Sequence, residues 1–322
     1  MFGHIHIIGL GLIGSSIARA IKTNNLAEKL TGFSRKEGIE GALKLGIIDV
    51  AMSSKDLKKP DIVIIAAPLS AYAAVGESIS HLKNVVITDA GSVKCEVINI
   101  MRESLGDNFK NFVPAHPIAG SEKTGVYSGT DDLFKGKKLI IAPAEETNQK
   151  AISKVKELWE ALGSNVEILE AARHDAIYAK VSHLPQALAF IYIRTVEEGH
   201  VEYTAEYKKF IRLTNSDANM WAEIFLLNNA NLIASIKAFK KELQKNLKEA
   251  EEAEEENYFS HQVAPLIAQS LKNITKAVEL KYAGSGFKDF TAIAAKTTKS
   301  KETEKFLLQF IKKLDSFAKA IS

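Results

Sequence analysis

The chain has 322 residues, with 42 Lys and Arg against 39 Asp and Glu for a net charge of +3, and 46% hydrophobic and 25% charged residues. At about 100 to 200 residues per domain this predicts two domains, and a composition so near the globular average excludes disordered, collagenous and disulfide-scaffold classes. The small net charge without a Lys/Arg block argues against a nucleic-acid partner, the lone Cys95 excludes an intrachain disulfide and favours a cytoplasmic home, and no apolar stretch approaches the about 18 residues of a membrane helix.

In chain order, an apolar run from Ile5 to Ile8 enters a glycine turn and becomes helical from Leu12 to Ile21, the first half of a βαβ unit. The stretch from Met1 to Ile21 imitates a signal peptide but lacks the basic start of one. Further strands are expected at Leu30 to Phe33, Asp61 to Ala67, Asn84 to Thr88, Asn111 to Pro114 and Lys138 to Ala142, with helical patterns between them. Strands and helices in alternation predict a doubly wound parallel α/β sheet of the Rossmann type over residues 1–171.

After Ala172 the strand signals stop, and residues 172–322 are expected to form an all-helical domain with helices at Asp175 to Thr195, Asn219 to Leu247, Phe259 to Leu280 and Thr303 to Ile321. The charge run Lys248 to Asn257 is expected as a solvated helix end or linker. It separates a first helical unit, 172–248, from residues 258–322. There Ser260-His261 and Phe287-Lys288-Asp289-Phe290 echo Ser182-His183 and Tyr207-Lys208-Lys209-Phe210, as a degenerate second copy would.

Gly9, Gly11 and Gly14 form G-L-G-L-I-G between a strand and a helix. Gly9 permits a tight turn, Gly11 lets backbone approach a pyrophosphate, Gly14 allows close packing, and the first helical turn, with Leu12 and Ile13, supplies N–H donors to the anion. About twenty residues on, where a carboxylate would accept the ribose hydroxyls of NAD, the chain has Ser34 followed by Arg35. A small hydroxyl and a cation leave room and charge for a 2′-phosphate, which favours NADP over NAD. Ala67 and Pro68 close another strand and complete the expected dinucleotide contacts, and no metal site is expected.

The glycine turn, Asp89-Ala90-Gly91-Ser92-Val93-Lys94, the segment from His116 to Gly125 (HPIAGSEKTG), the pair His174-Asp175, Ser182-His183-Leu184-Pro185 and the stretch Arg212, Ser216-Asp217, Met220-Trp221 occur in one order. Together they resemble the prephenate and arogenate dehydrogenases, the oxidative decarboxylases of tyrosine synthesis. The resemblance covers roughly Ile5 to Leu247 and implies a Rossmann domain, a helical dimerisation domain and an active site between them.

In that family's reaction, hydride leaves C4 of a cyclohexadienol for nicotinamide, CO2 leaves C1, and the ring becomes aromatic. The protein must accept the C4 hydroxyl proton and hold carboxylates. The resemblance makes His116 the proton acceptor, Ser92 a hydrogen-bond partner near the hydroxyl and nicotinamide, and Arg212 the grip on a substrate carboxylate. It also places Ser121, Glu122, His183, Gln186 and Asp175 at the substrate, with Asp175 pairing with an arginine across the domains and Glu122 gating the cleft.

Two departures stand out. Many prephenate-using relatives carry a second His where this chain has Gln186, which leaves prephenate and arogenate open. The G-x-G-F-K-D-F-T segment that relatives place before the arginine appears instead at Gly284 to Thr291, followed by Ala292. A homodimer through helical surface is expected, with a monomer containing an internal pseudo-dimer as the alternative. A β-hydroxyacid dehydrogenase or imine reductase would share the turn but not HPIAGSEKTG, and a non-catalytic dinucleotide sensor would not need His116, Ser92 and Arg212 together.

Overall fold

A computed structural model describes residues 1–121, 123–196 and 212–253. The expected helices at Phe259 to Leu280 and Thr303 to Ile321, the repeat in 258–322, Gly284 to Thr291, Tyr207 to Phe210 and Glu122 lie outside the described residues. The described residues form two compact units, one of Met1–Tyr178 with Met220–Asn228 and the other of the described parts of 179–219 and 229–253.

The first unit begins with β1 (Phe2–Ile8), α1 (Leu12–Thr23), β2 (Ala27–Phe33), α2 (Lys36–Lys44), β3 (Val50–Ala51) and β4 (Ile62–Ile65). It continues through α3 (Tyr72–Ile79), β5 (Val86–Asp89), α4 (Cys95–Leu105) and β6 (Phe112–Val113). These strands form one sheet in the order β3-β2-β1-β4-β5-β6, and every pair in it is parallel. The order reverses beside β1, so all the strand ends that carry Gly9, Ala67 and Ser92 share one edge of the sheet, as the doubly wound fold requires.

Both faces of this sheet are covered, which explains why β4 reads as an unbroken apolar run. On one face Ile5, Ile7, Ile62 and Ile64 meet Ile17 and Ile21 of α1, and on the other Ile8, Val63, Ile65 and Ile87 meet Tyr72 of α3 and Met101 of α4. Each such buried aliphatic side chain contributes about 1.5–3 kcal/mol relative to exposure.

The run at Lys138 is a strand, but not of the parallel sheet. After Pro114 the chain starts β7 (Ala115–Pro117), which pairs antiparallel with β8 (Lys138–Ile141), and β8 pairs parallel with β9 (Asn165–Ile168). Between β7 and β8 the helical element among the described residues is a short 3₁₀ turn at Val126–Ser128. The long helix α5 (Gln149–Ala161) links β8 to β9 and packs Val155, Leu158 and Trp159 into the same core.

From α6 (Ala171–Tyr178) the chain runs into a π-helical turn, Ala179–His183, and α7 (Leu184–Val196). The π turn has a local cause. Pro185 has no N–H to give the Val181 carbonyl, so the α-helical ladder cannot close there. The expected helix from Asn219 to Leu247 is divided at Asn228 into α8 (Ala218–Leu227) and α9 (Asn229–Ala253). Most of α8 belongs to the first unit, where Ile224 is buried and Trp221, Phe225 and Leu227 pack around it. The charge run from Lys248 continues α9 as far as Ala253. Among the described residues no helix is long and apolar enough to cross a membrane.

Candidate active site

The glycine turn fits a dinucleotide. Gly9 has φ +96°, and a Cβ there would lie 2.4 Å from the Ala66 carbonyl oxygen. A Cβ on Gly14 would lie 1.8 Å from the Gly9 carbonyl oxygen, so helix and turn can approach only without side chains at both positions. Gly11, by contrast, faces open space, with nothing within 4 Å of its Cβ position. It caps α1 without a side-chain hydrogen bond, and the first-turn N–H groups of Leu12, Ile13 and Gly14 stand where a pyrophosphate would be received.

Ser34 follows β2 directly, and its hydroxyl oxygen accepts the Leu10 N–H at 3.2 Å. The end of the second strand is thereby tied to the glycine turn. Arg35 is exposed at the N-cap of α2, and Ala67 and Pro68 close β4 on the same edge of the sheet. Pro68 opens a turn held by α8, because Ser70 gives both its N–H and its hydroxyl to the Glu223 carboxylate at 3.2 and 2.5 Å.

His116 sits in the middle of β7 and is half-buried. Its Nδ1 lies 2.8 Å from Nε2 of His174, whose Nδ1 lies 2.8 Å from Oδ1 of Asp175. Both oxygens of Asp175 also accept backbone N–H groups, Lys94 to Oδ1 and Cys95 to Oδ2, each at 2.9 Å. Burial pushes the Asp175 carboxyl up, but the bonds from His174, Cys95 and Lys94 outweigh it and hold the group below its ordinary value. Burial pulls His174 down, the nearby Lys94 charge adds to this, and the Asp175 bond opposes without prevailing.

These facts fix the tautomers. An ionised carboxylate only accepts, so Nδ1 of neutral His174 carries the hydrogen and its Nε2 offers a lone pair. Nδ1 of His116 must then donate to it, which leaves the lone pair of His116 on Nε2. The chain Asp175, His174, His116 thus presents a base of defined tautomer. The rings of His116 and Tyr178 pack edge to face with centroids 5.1 Å apart, which fixes the plane of the imidazole.

The Asp175 side chain is 1% exposed, and among the described residues its partners are His174 and the start of α4. Its residue is further anchored by Asn228, whose Nδ2 donates to the Asp175 carbonyl at 2.8 Å. Beside it, burial and the Asp175 charge push the Cys95 thiol up to about 12, which disfavours the thiolate.

Ser92 is half-buried in the loop between β5 and α4, and Ser121 is exposed in the loop after β7 with its hydroxyl accepting the Lys123 N–H at 3.2 Å. In the second unit His183 is buried at the end of the π turn, and Gln186 is buried with its Nε2 donating to the Leu213 carbonyl at 2.8 Å. That bond ties α7 to the residue after Arg212, which is exposed at the start of a short helical stretch. The motif residues that sequence reasoning passed over are His174, Asp89 and Lys94; burial of a charged pair and ring-to-ring geometry have no signature in spacing alone.

The nucleotide-binding domain model of prephenate dehydrogenases matches residues 17–168, and the dimerization domain model of the same proteins matches residues 170–263. Cyclohexadienyl dehydrogenase of Zymomonas mobilis is 31% identical over 258 residues, which span 76% of this chain and 87% of that protein. Prephenate dehydrogenase of Bacillus subtilis is 29% identical over 80% of this chain and 72% of its own. Among solved structures, prephenate dehydrogenase from A. aeolicus in complex with hydroxyphenyl propionate and NAD+ superposes with a TM-score of 0.73 at 32% identity, covering 84% of this chain and 98% of that one.

Proposed function

The chain belongs to the prephenate dehydrogenase family, and from that premise we propose that His116 is the base of an oxidative decarboxylation of prephenate or arogenate. The products are 4-hydroxyphenylpyruvate from prephenate or tyrosine from arogenate. The observation that carries the residue assignment is the hydrogen-bonded chain from Asp175 through His174 to His116.

When bound, the nicotinamide supplies the acceptor for the hydride leaving C4. Gly9, Gly11 and Gly14 admit its pyrophosphate, Leu12 and Ile13 lie in the receiving helical turn, and Ala67 and Pro68 border the path to the ring. Nε2 of His116 takes the C4 hydroxyl proton as the carbonyl forms. The resulting imidazolium is stabilised by His174, whose Nε2 accepts from Nδ1 of His116 while Asp175 balances the charge. Ser92 hydrogen-bonds near the same hydroxyl. Loss of CO2 from C1 completes an aromatic ring and makes the step downhill.

Arg212 grips a substrate carboxylate, for which the planar guanidinium is suited. His183, Gln186, Ser121 and Glu122 complete the substrate side. Gln186 is compatible with both substrates. Ser34 and Arg35 support use of NADP at least as well as NAD, because no carboxylate at the end of β2 repels a 2′-phosphate. Residues 1–171 serve as the dinucleotide-binding domain and 172–322 as the substrate and dimerisation domain, in a cytoplasmic homodimer. The match of residues 170–263 to a dimerization domain supports this assembly.

His116→Asn tests the assignment. It is expected to lower kcat by about 10²-fold or more with little change in substrate binding, and wild-type activity is expected to fall as pH drops through the pKa of this histidine in the complex. An unchanged kcat would return His116 to a structural role.

A further inference from the structure

The Asp89–Lys94 pair is fully buried, with both side chains 0% exposed and Nζ 2.7 Å from Oδ2. An ion pair in that setting is weak grounds for stability, since desolvation offsets much of the attraction. Its contacts indicate another use. Lys94 Nζ donates to the carbonyl of Ala115 at 2.7 Å, and the N–H of Ala115 donates to Asp89 Oδ1 at 2.8 Å. Both backbone groups of the residue before His116 are therefore held by the two members of one pair.

The same two residues bracket the Ser92 loop. Asp89 ends β5, Lys94 precedes α4, and Asp89 Oδ2 also accepts the Gly91 N–H at 2.8 Å and the Tyr72 hydroxyl at 3.0 Å. The backbone N–H of Lys94 donates to Asp175, which orients His174 and through it the His116 ring. Lys94 thus stands at the origin of two arms. Its side chain sets the backbone of His116, and its main chain sets the ring.

We infer that Lys94, paired with Asp89, is a positioning residue that places the His116 imidazole and the Ser92 loop together for the proton transfer. The inference rests on the proposed role of His116. The electrostatics agree with it. Among the described residues the titratable and charged groups that act on His174 are Asp175 and Tyr178 from α6, His116 from β7, Asp89 from β5 and Lys94 at the start of α4. Burial does most to keep His174 neutral and its Nε2 an acceptor, and the Lys94 charge adds to this against the opposing Asp175 and Asp89.

The test compares Lys94→Met, the double variant Asp89→Asn/Lys94→Met and His116→Asn in the full chain. A lone buried Asp89 carboxylate in the single variant is severely destabilising, and the double variant, with no charge left to bury, then carries the test. Readouts are circular dichroism and thermal melting, NADP and NAD affinity, kcat, substrate KM, and the pH profile of kcat. A displacement of about 1 Å at a reacting group costs about 10²-fold. The folded Lys94 variants are expected to bind cofactor within about 2-fold of wild type, to lose about 10²-fold in kcat with little change in KM, and to show an acid limb moved to higher pH. A folded double variant with kcat within about 3-fold of wild type and an unmoved acid limb overturns the inference while leaving His116 in place. An unchanged kcat in His116→Asn overturns both.

Discussion

Replacing Asp175 with Asn keeps the shape of the side chain but breaks the logic of its hydrogen bonds. The carboxylate accepts three, from Lys94 N, Cys95 N and His174 Nδ1, at 2.9, 2.9 and 2.8 Å. An amide has one acceptor end, so at least one of these donors meets an NH₂ group. If the amide nitrogen turns to His174, Nδ1 of that ring becomes the acceptor and its Nε2 carries the hydrogen. Nδ1 of His116 must then accept, and the hydrogen moves to Nε2, where the base should be. A base held in the wrong tautomer loses about 10⁴-fold in kcat, and partial accommodation places the expected loss between about 10² and 10⁴. If the amide nitrogen turns instead to the start of α4, the cost falls on stability. Hydrogen bonds to charged groups are worth about 1.5–3 kcal/mol each, so a loss of about 2–4 kcal/mol is expected. The pH dependence has a defined sign. The Asp175 carboxyl lies below its ordinary value in the fold, so its stabilisation is complete above the unfolded value near about pH 4 and is lost as pH falls through the lower folded one. The stability gap between wild type and variant is therefore full at neutral pH and closes in acid. The assay is cofactor reduction with denaturant unfolding at several pH values. A variant that is less stable but retains kcat within about 3-fold would make Asp175 a helix cap and refute the tautomer argument.

Two further perturbations address binding. Arg212→Ala is expected to raise substrate KM more than it lowers kcat, because the carboxylate it addresses is present in both ground and transition states; steady-state kinetics decide, and the reverse ranking would assign Arg212 to the reacting carboxylate. Ser34→Asp is expected to shift preference from NADP toward NAD by repulsion of the 2′-phosphate, read as the ratio of kcat/KM for the two cofactors. A wild-type enzyme with strong NAD preference would contradict the reading of the β2 end.

The parallel sheet was legible because its signals are local. Ile62 to Ile65 is an unbroken apolar run since both faces are covered, and G-L-G-L-I-G packs its chemistry into six consecutive residues. The run at Lys138 was legible as a strand but not as a member of a second sheet, because its partners Ala115 to Pro117 are more than twenty residues away. His116 could be named from its motif, yet the hydrogen-bonded chain behind its ring could not. His174 and Asp175 are adjacent in sequence, but their direction depends on α6 meeting the start of α4. Asp89 and Lys94 sit in a recognisable motif whose pairing closes only when β7 is laid beside β5. The π turn at Ala179–His183 follows from Pro185, whereas the break at Asn228 depends on α8 finding a hydrophobic seat around Ile224.

The central claim is that hydride transfer and decarboxylation occur together on one substrate with His116 as base. The most direct test gives purified protein prephenate or arogenate with NAD or NADP, and counts reduced cofactor and released CO2 in the same reaction. One CO2 per hydride is expected with at least one substrate, and the activity is expected to collapse in His116→Asn. Cofactor reduction without CO2, or no reduction with either substrate, would contradict the account.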